Sequence, residues 1–377
     1  MLDRVYSSQV FRRGVLLWEK WERRLAAVAL LLGFVFDLII ADRPDSVQNN
    51  LLLLFYLIIA GGCIIALNVR VRRSASTEPI APPLLLLVLL QFCFGGLASN
   101  LFVLYGRSGT LVGSALFITL LGAMLVGNEF LRSRYETLRF NIGIYYLLLF
   151  TYLIIAVPTF ILHSIGVWVF VASGLLSLVL IAGFLYLVYF AVLQGRARDR
   201  QFIEVSAVVV GIFIFFNALY FFNIIPPVPL SLKSAGVYHS VTRAGSDYSA
   251  TYEKPAWFAF WHDTSGTFTL NSSSLLKSNP TAYCFSSIFA PTGLKTPVVH
   301  VWEQYSESAS AWQERSRVPF AISGGRAGGY RGFSLKSSLA PGRWRCNVET
   351  RGGVLIGRIS FTVVQSVTAP ELSTKTL

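Results

Sequence analysis

Long apolar runs alternate with short polar connections through the first 225 residues. Each run is about 17 to 28 residues long, and a helix needs about 20 residues to cross the hydrocarbon core of a bilayer. The pattern therefore predicts seven transmembrane helices within a membrane domain at residues 25–225. The predicted spans are residues 25–41, 51–68, 83–105, 111–130, 143–162, 166–193 and 203–225.

Three places depart from this simple pattern. Residues 1–24 repeat apolar side chains at near-helical spacing among Arg and Lys, which predicts a cytoplasmic or interfacial N-terminal segment. The connection His163–Gly166 is very short for a helical hairpin, and Gly95–Asn100 places Gly and Asn inside the third span. Either of the last two places can accommodate a re-entrant segment.

The pattern changes after Ile224–Pro229 (IIPPVP), where two consecutive prolines end a helix. Short segments rich in Ser, Thr, Tyr, Trp and Val, separated by turn signals, then predict antiparallel β-structure. We expect a linker at 226–236, a β-sandwich at 237–366 and a flexible tail at 367–377. The predicted strands are 237–243, 256–262, 266–271, 281–288, 297–305, 311–320, 330–337, 343–350 and 354–364.

The last two strands predict a hairpin around the turn at 351–353. Trp344, Cys346 and Val348 alternate with polar residues, so one face of the hairpin is buried and the other is wet. A Pro-Gly turn at residues 341–342 introduces the hairpin, in the way that such a turn feeds the closing strands of an immunoglobulin-like sandwich. The predicted fold class is an α-helical membrane bundle followed by an all-β, immunoglobulin-like sandwich.

Composition and charge indicate where in the cell the two domains lie. The 377 residues are 54% hydrophobic and only 14% charged, with a mean hydropathy of +0.58, which excludes an ordinary soluble protein. The N-terminal segment and every second connection after it together carry fifteen Lys or Arg residues. The connections between them carry only Arg43 and Arg107. Because Lys and Arg hold short loops in the cytoplasm, we expect a cytoplasmic N-terminus. An odd number of crossings then places the C-terminal domain in the periplasm or outside the cell.

Two segments of the C-terminal region carry a family resemblance. They are residues 282–304 (AYCFSSIFAPTGLKTPVVHVWEQ) and 324–363 (GGRAGGYRGFSLKSSLAPGRWRCNVETRGGVLIGRISFTV). Their glycines, aromatic residues and Arg-Trp-Arg triplet resemble the bacterial domain-of-unknown-function family 2914 over roughly residues 282–364. The resemblance implies a bacterial membrane protein, here of the cytoplasmic membrane. It implies no activity, ligand or catalytic residue, and Cys346 departs from the small or β-branched residue expected there.

The glycine-rich segment 323–332 (SGGRAGGYRG) is the most unusual local feature. Backbone N–H groups in such a loop can form an anion-binding nest, assisted by Arg326 and Arg331. With Tyr330 and Lys336 these form the hypothetical binding site. The alternative is a tight connection whose glycines serve backbone geometry alone.

Two other pairs of residues are candidate sites. Asp37 and Asn217 are polar groups inside predicted spans, where a carboxylate is costly enough to suggest a role, although both can instead reach the interface or join helices. Cys284 and Cys346 lie in predicted strands, so they can form a disulfide outside the cytoplasm. The sequence leaves open whether they do.

Several tryptophans and tyrosines of the predicted sandwich can either fill its core or form a stacking surface. They are Trp257, Trp261, Trp302, Trp312, Trp344, Tyr283, Tyr305 and Tyr330. No catalytic motif or metal-ligand spacing is evident, and His300 and Glu303, three residues apart on a strand, should face opposite ways.

We therefore expect a non-enzymatic protein, without cofactor or metal. Its sandwich is expected to bind an envelope glycan or an envelope protein rather than nucleic acid, while its helices contact the lipid bilayer. The alternative is a small-solute transporter or membrane sensor that acts through the helical bundle. Ligand identity and oligomeric state are not encoded in any motif.

Overall fold

The computed structural model of the protein contains helices followed by strands. It describes residues 35, 37, 39, 43–74, 84–108, 115–130, 137–193, 198–222, 224–225, 228–245, 247–254, 266–271, 281–323 and 329–377. The predicted N-terminal segment 1–24 and nearly all of the first predicted span, 25–41, lie outside the described residues.

Six helices occupy the described part of residues 43–222. They are α1 (Val47–Ser74), α2 (Leu84–Ser108), α3 (Ala115–Phe130), α4 (Leu138–Ala156), α5 (Val167–Ala191) and α6 (Arg198–Phe221). All except α3 are long and apolar enough to cross a membrane, and α3 contains a shorter apolar stretch, Ala115–Gly127. Five of the predicted apolar helices are therefore confirmed by length and composition.

Both places where the sequence admits a re-entrant segment have a simpler structure. Helix α2 runs without a break through Gly95–Asn100, and a Cβ added at Gly96 would lie 2.7 Å from the Tyr56 ring, so this glycine lets α1 approach α2. Helix α4 continues as a π-helix around Pro158, where Leu162 N donates to Val157 O at 2.9 Å. Because proline has no N–H, the helix widens there before it ends.

Contacts divide the chain into two compact units, of which the first comprises Met1–Leu104, Thr119–Tyr152 and Ser177–Ile214. Its interior is aromatic: the rings of Tyr145 and Phe184 stack at 4.8 Å, and Tyr146 Oη lies 3.1 Å from Ser177 Oγ. The free cysteines of α1 and α2 are buried. Side-chain packing therefore holds the helices of this unit together.

The second unit comprises Tyr105–Ile118, Leu153–Leu176 and Phe215–Leu377. Its strands, here called the β-region, form three sheets with the orders β1-β5-β8 (first sheet), β4-β10-β9-β6-β7 (second sheet) and β11-β3-β2 (third sheet). Pairing is antiparallel except between β10 and β4. The strands are β1 (Ser231–Tyr238), β2 (Ser240–Ala244), β3 (Asp247–Glu253), β4 (Thr267–Asn271), β5 (Thr281–Phe289), β6 (Lys295–Ser306), β7 (Ala311–Ser323), β8 (Tyr330–Ser337), β9 (Gly342–Thr350), β10 (Leu355–Ser366) and β11 (Leu372–Thr376).

Strands β4 to β10 confirm seven of the predicted strands to within a few residues, so the C-terminal region is all-β. The predicted strand 256–262 lies outside the described residues. The structure differs at the ends of the region: β1 begins at Ser231, inside the predicted linker 226–236, and β11 lies in the predicted flexible tail 367–377. Pairing with distant strands orders both segments, since β1 pairs with β5 and β11 pairs with β3.

The predicted strand 237–243 is two strands, because the chain passes from the first sheet to the third at His239. His239 Nε2 lies 2.8 Å from Glu253 Oε1, and the His239 ring stacks on Phe268 at 4.0 Å. The Glu253 carboxylate also accepts hydrogen bonds from the Thr269 backbone N–H and hydroxyl. Although burial raises the pKa of Glu253, these hydrogen bonds outweigh it, and the pKa is lowered. This ionised carboxylate ties the third sheet to β4 of the second.

Sheets one and two enclose the main core of the β-region. Cys284 of β5 and Cys346 of β9 form a disulfide that connects these two sheets. Trp302 and Trp344 are among the largest buried side chains and pack in the same cluster as both cysteines. The inner face of the second sheet is therefore apolar, and its other side remains available for polar residues.

Candidate functional site

The described residues of the hypothetical site in the glycine-rich segment lie apart. Arg326 lies outside the described residues. Tyr330 packs against a buried apolar cluster, whereas Arg331, the next residue of β8, donates to Asp247 Oδ1 at 2.7 Å. Lys336 is six residues from Tyr330 on the same strand, about 20 Å away at 3.3 Å per residue. The three described residues do not converge on one ligand.

Gly329 and Gly332, the two described glycines of this segment, lie where the chain closely approaches its neighbours. Gly329 has a φ of +84°, and a Cβ there would lie 2.6 Å from Ser287 Oγ. A Cβ at Gly332 would lie 2.9 Å from the Phe320 ring. Both distances are shorter than real Cβ contacts allow, so a side chain at either position requires a neighbouring group to shift.

A buried hydrogen-bond network occupies the space between the first and second sheets. His300 Nε2 lies 2.8 Å from Ser286 Oγ, and His300 Nδ1 lies 2.9 Å from Ser334 Oγ. Trp302 Nε1 donates to the same Ser334 Oγ at 3.0 Å. Burial lowers the pKa of His300 to about 4, so the ring is neutral at pH 7. The network satisfies buried polar groups, as a structural histidine does.

This network also includes a group of metal-ligating atoms. One nitrogen of His300 and the sulfurs of Cys284 and Cys346 lie within 4.8 Å of one another, and all three residues are buried. The sulfurs are bonded to each other, and each ring nitrogen of His300 has a serine partner. Sequence reasoning missed this group, because its members lie on three strands and show no ligand spacing.

The opposite side of the second sheet, here called the outer face, carries many charged and aromatic side chains. Four adjacent strands supply it, because alternate residues of each strand point away from the core. Its members are Glu303, Tyr305, Trp312, Glu314, Arg317, Arg343, Arg345, Asn347, Glu349 and Arg358, with Glu307 at the turn after β6.

Guanidinium groups cover two aromatic rings of the outer face. The Arg343 guanidinium lies 3.8 Å from the centre of the Tyr305 ring, and that of Arg345 lies 4.2 Å from the centre of the Trp312 ring. The two rings meet edge to face at 5.3 Å. Cation–π contacts of this kind fix both the ring and the cation. The Arg343 side chain remains 52% exposed to solvent.

An ion-pair network surrounds these rings. Arg345 pairs with Glu303, whose Oε2 also accepts from Asn347 Nδ2 at 2.7 Å. Arg358 Nε donates to Asn347 Oδ1 at 2.7 Å, so Asn347 joins three strands. Burial, with smaller contributions from neighbouring carboxylates, raises the pKa of Glu349. The ion pairs and hydrogen bonds among these side chains therefore preorganise the outer face.

The candidate aromatic residues thus divide into two groups. Tyr305 and Trp312 lie on the outer face, while Trp302 and Trp344 are buried. Tyr283 and Tyr330 are partly buried beside apolar clusters, and Trp257 and Trp261 lie outside the described residues. The sequence signal for the outer face was the polar alternation along β9. Its partners on β6 and β7 had no signal of their own.

A second polar cluster lies between helices of the first unit. Asp37 is buried in a helical segment, and its carboxylate lies beside Ser99 and Asn100 of α2. Asn49 Nδ2 donates to Asn100 Oδ1 at 3.1 Å, and Asn100 Nδ2 donates to Asn49 Oδ1 at 2.7 Å. Asn217, the other predicted intramembrane polar residue, is half-buried on α6 and belongs to the second unit.

Comparison with known proteins gives one family match. Residues 295–363 match the model of the family described as protein of unknown function (DUF2914), which confirms the family resemblance within the C-terminal region. The matched residues include all of β6 to β9 and most of β10, and therefore all members of the outer face. No curated protein matches the chain.

Proposed function

We propose that this chain is a non-enzymatic integral membrane protein that presents the β-region outside the cytoplasm and binds an envelope partner through the outer face. Five described helices are long and apolar enough to cross a membrane. Together with α3 and the predicted span 25–41 they make seven crossings. The β-region is proposed to be an immunoglobulin-like sandwich, supported by an inter-sheet disulfide packed against a buried tryptophan.

The orientation is supported by how Lys and Arg residues divide between alternate connections. The N-terminal segment and every second connection after it carry fifteen Lys or Arg residues, whereas the connections between them carry only Arg43 and Arg107. Since Arg-rich loops stay in the cytoplasm, seven crossings favour an extracytoplasmic β-region.

The observation that carries the binding proposal is the pair of guanidinium-covered rings on the outer face. Trp, Tyr and Arg are the residues most enriched in the energetically important part of protein interfaces. Because their side chains are already fixed by stacking and ion pairs, little conformational entropy is lost when a partner docks. One side of each ring is covered by guanidinium, which favours a protein partner over sugar stacking.

Site-specific photo-crosslinking tests this proposal in intact cells. A photoreactive residue in place of Ser360, which is exposed beside Arg345, should give a defined adduct, whereas one at exposed Thr242 of the third sheet should not. Adding Arg343→Ala or Trp312→Ala should reduce the adduct about thirtyfold, the effect of losing about 2 kcal/mol at an interface. Arg243→Ala, at an exposed arginine of β2, is the matched control.

Digestion of the adduct identifies the partner. An adduct that protease removes supports a protein partner, and one that only glycan hydrolases remove moves the proposal to an envelope glycan. Two results would refute binding by the outer face. One is an equal yield of adduct from positions 360 and 242, and the other is an adduct at position 360 that neither Arg343→Ala nor Trp312→Ala reduces.

The second candidate function is a small-solute transporter or membrane sensor, and the Asp37 cluster favours it. A carboxylate among apolar helices is costly and is commonly retained for proton or cation binding. The Asp37 carboxylate lies beside Ser99 and Asn100 of α2. Asn100 is held by Asn49, so the amide beside the carboxylate is fixed.

Flux measurements on the purified full chain in proteoliposomes test this alternative. If the bundle transports protons or sodium ions, Asp37→Asn should reduce the flux at least about tenfold, because it removes the only charge of the cluster. Asn68→Leu is the control, since Asn68 bonds only a carbonyl of its own helix in the described contacts. An unchanged flux in Asp37→Asn, or no flux in the wild type, would exclude transport through this cluster.

A further inference from the structure

A cavity of about 480 Å³ lies within the second unit, between helix ends and the second sheet. Its helical wall is apolar and includes Ile154 of α4, Phe170 of α5 and Tyr220 of α6. The Phe170 and Tyr220 rings stack at 3.7 Å and are nearly parallel, at 5°. A flat aromatic wall of this size suits a hydrocarbon chain, which gains free energy from burial without requiring hydrogen bonds.

The opposite wall is polar and comes from the turn between β9 and β10. Arg351 lines the cavity there and is the only cationic side chain in the described lining, which contains no carboxylate. The turn is held by backbone bonds from Gly353 N to Thr350 O, at 3.0 Å, and from Thr350 N to Val354 O, at 2.9 Å. Gly353 permits this geometry with a φ of +82°. The position of Arg351 is therefore fixed by the hairpin.

Residues around the cavity indicate its depth in a bilayer. Trp168, next to the lining residue Val167, is 84% exposed, and Ile161 at the end of the π-helix is 60% exposed. Exposed tryptophan at a helix end is typical of the boundary between hydrocarbon and headgroups. An apolar wall and a cation meet at this boundary, as the acyl chain and phosphate of a lipid do.

We propose that this cavity binds one anionic phospholipid, with an acyl chain against Phe170 and Tyr220 and the phosphate at Arg351. The charge supports this occupant, because the lining supplies one positive group and no negative one to a ligand with a negative headgroup. The inference rests on the membrane insertion proposed above. It does not depend on the outer face.

Native mass spectrometry of the purified full chain in detergent, titrated with phosphatidylglycerol, tests the site. Wild type should retain one saturable lipid. Arg351→Gln should raise the apparent Kd about tenfold, because a charge-assisted hydrogen bond is lost. Gly352→Phe should also weaken binding by occupying the cavity, and the backbone tolerates it because a Cβ there would meet only Thr350 Oγ1 at 3.9 Å. Arg315→Gln, at an arginine outside the lining, should have no effect.

Other probes distinguish the source of the phosphate. Phosphatidylcholine should bind more weakly, and inorganic phosphate should not displace phosphatidylglycerol. Equal binding of both lipids, displacement by phosphate, or no change in Arg351→Gln and Gly352→Phe would overturn the proposal. Extraction of the chain from membranes by alkaline carbonate would contradict membrane insertion itself, whereas a chain that stays in the membrane but retains no lipid refutes only this site.

Discussion

Replacing Cys284 and Cys346 together by alanine is expected to lower the free energy of unfolding of the β-region by about 4 kcal/mol. The disulfide closes a loop with a sequence separation of 62 residues, and a cross-link over such a loop restricts the unfolded chain by about this amount. The lost sulfur atoms also leave space in a core where both cysteines are fully buried. Tryptophan fluorescence of the full chain in urea measures the change.

The chain offers a matched control for this substitution. Cys63 and Cys93 are also buried, but they are free cysteines on helices. Replacing that pair by alanine should leave the unfolding transition of the β-region unchanged. Adding a reductant to the wild type should lower its stability by as much as the Cys284→Ala and Cys346→Ala double substitution does. An identical wild-type transition with and without reductant would show that the disulfide contributes no stability.

Acidification from pH 7 to pH 4 is expected to lower the free energy of unfolding of the β-region by about 3 kcal/mol through the titration of His300. Burial lowers the pKa of His300 from 6.5 to about 4, so over this range the unfolded chain binds a proton that the folded one does not. Each pKa unit corresponds to about 1.4 kcal/mol. Stability contributed by the neutral ring is therefore present above pH 6.5 and is lost as the pH falls. Urea unfolding at several pH values measures the slope.

The substitution His300→Gln isolates this contribution, because glutamine can bond both Ser286 and Ser334 but does not titrate. Glu253, whose pKa is lowered, adds to the acid loss in both proteins, and Glu349, whose pKa is raised, opposes it in both. The difference between the two slopes therefore belongs to His300. Equal slopes would mean that the ring is protonated or exposed in the folded state.

Much of the helical half could be predicted from sequence because a single local property determines it. A run of about 20 apolar residues is sufficient to indicate a membrane-spanning helix, whatever surrounds it. Two details needed packing information. The close approach of Tyr56 to Gly96 and the widening of α4 around Pro158 depend on neighbours and backbone geometry that hydropathy does not encode.

The β-region was most clearly predictable where strands are joined by short turns. The β9–β10 hairpin shows clear alternation and a turn at Arg351–Gly353, and it was located correctly. Strand β3 was missed although Tyr248, Ala250 and Tyr252 alternate with polar residues and pack in a core cluster. Strand β11 was missed because it is polar and pairs across more than a hundred residues, with Leu372 opposite Glu253 of β3. Nothing local distinguishes such a strand from a polar tail.

The outer face could be predicted only in part for the same reason. Alternation marked Arg345, Asn347 and Glu349 as the wet side of one strand. Their partners, such as Glu303 for Arg345, come from other strands and require the pairing register. The glycine-rich segment was open to two interpretations, because close backbone packing and an anion-binding nest require the same residue type.

The position of β7 at the end of the second sheet affects how the molecules tolerate crowding. An edge strand carries unpaired backbone groups that can template pairing with a neighbouring copy. Strand β7 places Glu314, Arg315 and Arg317 along this edge, and Pro319 has no N–H to donate. The charged side chains and the missing donor therefore oppose the growth of intermolecular sheets, even where anchoring to one surface concentrates many copies.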